Sequence, residues 1–234
     1  MVFNIRRFDA FIFIFFAKLR WILCFLVENS VDKAHFRYVF SATLNIIFVN
    51  KQTSTKMFSS FTKKKLTDNQ VANVFINGIY DSVDKGFAEV AAMINEDSAF
   101  IRSPQIAPSD SGHFGLIIIV GNLSFLESTF EPDQAARVEH LIFEKLARVY
   151  EMELYAFQQM IRDYQSFIMR VNHPSKNWIY GMSKAIFHKY ELYEYQDDYF
   201  KKMQAPNPLF LKRMDEVVSN FVWDWDAFFK KFRL

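Results

Sequence analysis

One long stretch without helix-breaking residues constrains the fold more than any other feature of this chain. Residues 132–171 contain no glycine, and no proline after Pro132. Proline suits the first turn of a helix, where its missing N–H would have no partner. Apolar side chains then recur at steps of three and four, which places them on one helix face. This apolar face comprises Phe143, Ala147, Tyr150, Leu154, Phe157, Ile161, Tyr164, Ile168 and Val171.

The stretch predicts either one helix about 60 Å long, at a rise of ~1.5 Å per residue, or two helices that meet near residues 151–153. Composition favours helices elsewhere too. The chain has only six glycines and six prolines, which is few for a sheet protein with many tight turns. Short loops between amphipathic helices make neighbours antiparallel. We therefore expect an all-α bundle of four to six long amphipathic helices, mostly antiparallel.

Two segments mark the first part of this bundle. Thr67 and Gln70 are spaced as a capping box at the start of a helix. Residues 97–112 hold two prolines and several serines, so they predict a long loop. The following residues 112–129 are very apolar, and their isoleucines locally favour a strand. Because no comparable run exists to pair with such a strand, we expect a buried helix there.

Two more helices are expected after residue 171. The first is predicted to begin after a Ser175 cap and to run to about Gln204. The second is predicted to begin with Asn207 as cap and Pro208 in the first turn. Its apolar residues follow a heptad pattern, which predicts one continuous helix with coiled-coil-like packing. These residues are Leu211, Met214, Val218, Phe221, Trp225, Phe228 and Phe232.

The first 56 residues form a hydrophobic, basic extension that differs from residues 57–234. The extension has no glycine or proline, ten of the 28 phenylalanines, and eight Lys/Arg against three Asp/Glu. Three interpretations remain open: a membrane anchor formed by residues 8–27, a buried helix pair, or translated upstream sequence before a true start at Met57. The third is narrowly favoured by the composition break. We expect a cytoplasmic protein if translation starts at Met57, and a membrane-associated one if residues 1–56 are present.

Charge and motif content narrow the function classes. Residues 57–234 hold 20 Lys/Arg and 23 Asp/Glu, which argues against a nucleic-acid-binding surface. Neither a nucleophile elbow nor a glycine-rich phosphate loop is present. Cys24 is the sole cysteine, and no histidine follows a glutamate by three residues as in di-iron bundles. We therefore predict no cofactor, metal or catalytic residue; the enzyme alternative would use His113, His140 or His173 with nearby acids.

Two aromatic segments and one small-residue stripe are the candidate sites. The aromatic segments are predicted to form an interaction surface, because tyrosine and tryptophan are enriched at protein interfaces. The stripe consists of Gly78, Ser82 and Gly86 at helical spacing, and it predicts a groove for close packing of a helix or ligand. The predicted surface residues are Tyr190, Tyr193, Tyr195, Tyr199, Trp223, Trp225, Phe228 and Phe229.

The leading functional hypothesis is a non-enzymatic helical bundle that binds another protein or itself. The alternative is a protein that binds an apolar small molecule or lipid between its helices, or a membrane-anchored helical domain. The aromatic segments are the candidate surface for the first hypothesis. The small-residue stripe would line the pocket of the second.

Overall fold

Helices account for nearly all regular structure in residues 63–234, the part of the chain that the computed structural model describes. The expected all-α class is therefore confirmed for this part. The predictions for residues 1–56, including an anchor at 8–27 and a start at Met57, lie outside the described residues. The helices are α1 Asp68–Glu96, α2 Gly112–Leu123, α3 Leu126–Thr129, α4 Pro132–Val149, α5 Leu154–Asn172, α6 Trp178–Lys189, α7 Asp198–Met203, α8 Pro208–Ser219 and α9 Trp225–Lys231.

Helix α1 begins at the predicted capping box. The Gln70 N–H donates to the Thr67 hydroxyl (3.4 Å), and the Thr67 N–H donates to the Gln70 side-chain oxygen (3.0 Å). These two bonds satisfy amide groups that have no partner within the helix. One face of α1 is buried and packs against α4 and α2.

Helix α2 lies at the centre of the core. Its residues 116–123 are all buried, and it packs against α1, α5 and α6. A helix that is apolar on every side finds no favourable place at a surface, so neighbours must surround it. A buried helix is thus confirmed at residues 112–123, but the predicted extension to residue 129 is wrong, because a turn at residues 124–125 separates it as α3. Burial on all sides outweighs the local strand preference of its isoleucines.

The stretch at residues 132–171 forms two helices rather than one. Helix α4 ends because Glu151 adopts a left-handed conformation with φ of 53°. The Met152 N–H then donates to the Ala147 carbonyl (2.9 Å), and the Glu151 N–H donates to the Arg148 carbonyl (3.3 Å). This is the bonding of a Schellman end. The chain turns there, and α5 packs back against α4.

The helix predicted from Ser175 to Gln204 is wrong in both its start and its length. Asn177, not Ser175, caps α6 by accepting from the N–H groups of Ile179 (3.0 Å) and Tyr180 (3.3 Å). Glu191 adopts φ of 52° and ends the helix after Lys189. A 3₁₀-helix at Leu192–Tyr195 and the short α7 follow.

The final helix is also divided, so the predicted continuous heptad is wrong. Asn207 and Pro208 do begin α8 as expected, but the helix stops at Ser219. The buried Asn122 of α2 explains the break. Its amide donates to the Phe221 carbonyl (2.9 Å) and accepts from the Trp223 N–H (2.7 Å), so both groups bond across the core instead of along a helix. Asp224 then caps α9.

The two ends of the described chain meet in a short parallel pairing. Strand β1 (Lys64–Lys65) pairs with β2 (Phe232–Arg233), and the Leu66 N–H donates to the Arg233 carbonyl (2.8 Å). Within residues 63–234, no helix combines the length and apolar character needed to cross a bilayer.

Candidate interaction surface

Part of the predicted aromatic surface lies inside the protein. Trp225 and Phe228 are buried, and the Trp225 ring stacks on Phe75 of α1 with a centroid distance of 5.7 Å. Trp223 and Phe229 are half-buried against the same cluster. The interruption of the helix between Ser219 and Trp225 turns these rings inward. The prediction that Trp225 and Phe228 belong to an interaction surface is therefore corrected.

The stripe of Gly78, Ser82 and Gly86 packs against residues of the same domain. A Cβ atom at Gly78 would lie 2.0 Å from the Trp223 ring, and one at Gly86 would lie 2.7 Å from the Phe221 ring. The Ser82 hydroxyl donates to the Ile79 carbonyl (2.8 Å) within the helix. The groove that these residues form is filled by aromatic rings and leaves no room for a ligand there.

The Tyr190 side chain binds the backbone at the start of α2. Its hydroxyl donates to the Asp110 carbonyl (2.6 Å) and accepts from the Phe114 N–H (3.3 Å). The nearby Tyr164 hydroxyl shares a hydrogen bond with His113 Nδ1 (2.7 Å). Burial raises the pKa of both tyrosines above the ordinary value. A tyrosine is already protonated at neutral pH at its ordinary pKa, so both phenols serve as neutral hydrogen-bonding groups.

Tyr199 is the member of the predicted surface that is well exposed, and three other exposed apolar residues accompany it. The exposed fractions are 66% for Tyr199, 58% for Met203, 65% for Leu209 and 71% for Ile101. We call these four residues the Tyr199 face. Tyr199 and Met203 lie one turn apart on α7, so their side chains share one side of that helix. Tyr193 and Tyr195 are half-buried in the preceding 3₁₀-helix.

The buried Gln196 fixes the segments that carry the Tyr199 face. Its side-chain amide donates to the Ala205 carbonyl (2.9 Å) and accepts from the Asn207 N–H (2.6 Å). Its backbone forms a bridge with Phe100, and the neighbouring Ile101 N–H donates to the Tyr195 carbonyl (2.8 Å). One glutamine therefore joins the loop before α2, the segment before α7 and the turn before α8.

The loop at residues 97–111 is held by two further polar contacts. The Asn95 side chain donates to the Ile106 carbonyl (2.9 Å) and accepts from its N–H (2.8 Å). The buried Asp97 carboxylate accepts two hydrogen bonds from Arg213, the one from Nε measuring 2.7 Å. This contact raises the pKa of the Arg213 guanidinium above its ordinary value. A bidentate pair of this kind fixes orientation as well as distance.

Charged residues lie next to members of the Tyr199 face along the chain. Arg102 lies over the Tyr195 ring, 5.0 Å from its centroid. Lys201 forms an ion pair with Glu194, which fixes α7 to the 3₁₀-helix. Asp198 and Lys202 are both exposed on α7. Exposed apolar and charged side chains therefore alternate along these segments, and protein–protein interfaces also combine the two kinds.

A surface groove of about 460 Å³ lies elsewhere, along α5 and the end of α6. The Lys189 ammonium sits over the Tyr164 ring, 4.5 Å from its centroid, and both residues line the groove. The groove is lined by Tyr155, Ala156, Gln159, Met160, Asp163, Tyr164 and Lys189.

The three histidines of the enzyme alternative lie on different elements. His113 lies in the first turn of α2 and contacts Tyr164. His140 lies on α4, with its Nε2 atom 3.4 Å from Glu144 Oε1. His173 is exposed after α5. Among residues 63–234, no three His, Cys, Asp or Glu side chains are grouped so that they would hold a metal ion. Comparisons of the chain with protein-family models, with curated proteins and with solved structures found no match.

Proposed function

We propose that this protein acts by binding another polypeptide through the Tyr199 face. The observation that carries the proposal is the display of four large exposed apolar side chains on segments fixed by Gln196. Single exposed apolar residues are common on protein surfaces and need no explanation. Four that are carried by three joined segments favour a binding role.

The rigid support of the face strengthens this interpretation. Binding costs conformational entropy when loops and side chains must be ordered, and a surface that is already fixed avoids part of that cost. The Asp97–Arg213 pair and the Asn95 contacts fix the loop that carries Ile101. Tyrosine and methionine also contribute large contact areas at protein interfaces. The face is thus suited to a macromolecular partner rather than to a small ligand.

Site-specific photocrosslinking in the cells that produce the protein tests this proposal. We would replace Tyr199 of the full chain with p-benzoylphenylalanine, which retains an aromatic ring. The matched control places the same group at Tyr155 on α5, which is 74% exposed. We expect protein adducts at position 199 but not at 155, and we expect Met203→Lys with Leu209→Lys to abolish them. Equal labelling at both positions would refute the proposal. Adducts that still form at position 199 in the Met203→Lys, Leu209→Lys variant would also refute it.

A second candidate function is the binding of an apolar carboxylate in the groove along α5. The observation that favours it is the juxtaposition of Met160 and Tyr155 with the Lys189 ammonium. Lys189 forms no ion pair with a described residue. If this candidate is right, dodecanoate raises the melting temperature of the wild type but not of a Met160→Asp variant. An equal shift in both proteins, or no shift in either, would exclude it.

A further inference from the structure

We infer that the polypeptide bound at the Tyr199 face is a second copy of this chain, with the two α7 helices paired antiparallel about a two-fold axis. This inference rests on the proposed function and names its partner. The argument comes from the charges and apolar residues of α7, since a symmetric interface must be complementary to itself.

The exposed charges of α7 are complementary under such a two-fold axis. Asp198 lies at the N-terminal end of the helix and Lys202 one turn later, so both occupy one flank. Antiparallel pairing reverses the order of the second helix. Asp198 of each copy then faces Lys202 of the other, which forms two equivalent ion pairs. A parallel arrangement would instead place like charges opposite each other, which is unfavourable.

The apolar residues of α7 obey the same symmetry. Tyr199 and Met203 form the stripe beside these charges and are both well exposed. Antiparallel pairing places Tyr199 of each copy against Met203 of the other, so a large ring meets a flexible thioether side chain. Sulfur–aromatic contacts of this kind are favourable. Leu209 and Ile101 are also exposed, on segments that Gln196 joins to the chain before α7.

The remaining lysine of the helix does not disturb this pairing. Lys201 is engaged by Glu194 of its own chain, and it is only partly exposed. Because α7 has six residues, the contact area is small, and small interfaces belong to the weak or transient class. The inferred dimer is therefore concentration-dependent and weakened by salt, because its ion pairs lie at the surface.

Complementary charge reversal tests the arrangement. Sedimentation velocity of the full chain would be measured for the wild type, for Asp198→Lys, for Lys202→Asp and for an equimolar mixture of the two variants. Each reversal alone places like charges opposite each other and should raise the dimer dissociation constant at least about tenfold. The mixture should dimerise again, because each heterodimer contains two opposite-charge pairs. Local fraying of α7 in the single variants would not produce this recovery.

Two controls separate pairing through α7 from general attraction. Lys212 is exposed on α8, so Lys212→Asp, which changes the net charge as Lys202→Asp does, should leave the dimer dissociation constant unchanged. Met203→Lys should abolish the dimer, whereas Met169→Lys should not, although Met169 on α5 is 63% exposed. A wild type that stays monomeric, a dimer that survives Met203→Lys, or a mixture that fails to recover would overturn the inference.

The failure of this inference is distinguishable from failure of the proposed function. A monomeric chain that still forms Met203-dependent adducts at position 199 with a different protein would refute self-association and leave the binding role standing. Adducts from position 199 to residues 1–62 of the same chain would refute the pairing of two copies. The absence of any adduct at position 199 would refute both.

Discussion

Close approach at Gly78 decides how α1 packs against the segment before α9. Trp223 reaches the backbone of α1 at this glycine, and the ring occupies the space that a side chain would need. The stripe of small residues in α1 therefore serves a tryptophan of the same domain. Glycine within a helix costs about 1 kcal/mol relative to alanine, and this packing offsets that cost.

Replacing Gly78 with alanine should reduce the free energy of unfolding by about 1–3 kcal/mol, because the added methyl group overpacks the contact with Trp223. Gly115 in α2 is the matched control. A Cβ atom there would lie 3.7 Å from the nearest Val83 carbon, which is ordinary contact. Gly115→Ala should therefore stabilise the protein by about 0.5–1 kcal/mol. Urea denaturation of both variants measures the difference, and stabilisation by Gly78→Ala would show that the packing is wrong.

Helix ends explain which elements the sequence predicts and which it does not. The capping box at Thr67 and the Asn207–Pro208 start are local signals, and both predictions are correct. The ends at Glu151, Glu191 and Gln204 are left-handed residues that are not glycine. Such ends carry no strong local signal, because glycine is the usual residue there. The periodic apolar pattern continues across them.

Caps and long-range contacts account for the remaining errors. Asn177, Asp197 and Asp224 are caps of a favoured type. Asp197 and Asp224 mark helix starts inside stretches that were predicted as single longer helices, whereas Asn177 marks a start that was predicted two residues earlier, at Ser175. The break before α9 also depends on Asn122, about one hundred residues away in sequence. This contact decides whether Trp225 lies in the core or at the surface.

The Tyr199 face is predictable from the sequence only in part. The tyrosine-rich segment predicts Tyr199, but no sequence signal predicts Ile101, because tertiary contacts bring its segment to α7.

Relief of the left-handed strain at the end of α6 is testable. Glu191→Gly should raise the free energy of unfolding by about 0.5–1 kcal/mol, since glycine adopts positive φ without a steric cost but loses more entropy on folding. Glu89 is exposed in the middle of α1, so Glu89→Gly should instead cost about 1 kcal/mol. Thermal and urea unfolding compare the two variants. A loss of stability in Glu191→Gly would contradict the assigned helix end.

At the scale of the whole described domain, buried polar residues join segments that are distant in sequence. Gln196 links three segments at the Tyr199 face, Asp97 pairs with Arg213 of α8, and Asn122 fixes the chain before α9. Each is buried, and a buried polar group without partners would be costly. These contacts define one arrangement of loops around the apolar core. The Tyr199 face is then carried by fixed segments, and its four side chains are well exposed among residues 63–234.

The free energy of unfolding of a Met203→Lys, Leu209→Lys double variant is the most direct test of this account. It should be measured by urea denaturation at a protein concentration where the wild type is monomeric. If both side chains belong to an exposed binding face, the value stays within about 0.5 kcal/mol of the wild type per substitution. A loss above about 3 kcal/mol would mean that these residues are packed in the core, and it would contradict a binding role for the Tyr199 face.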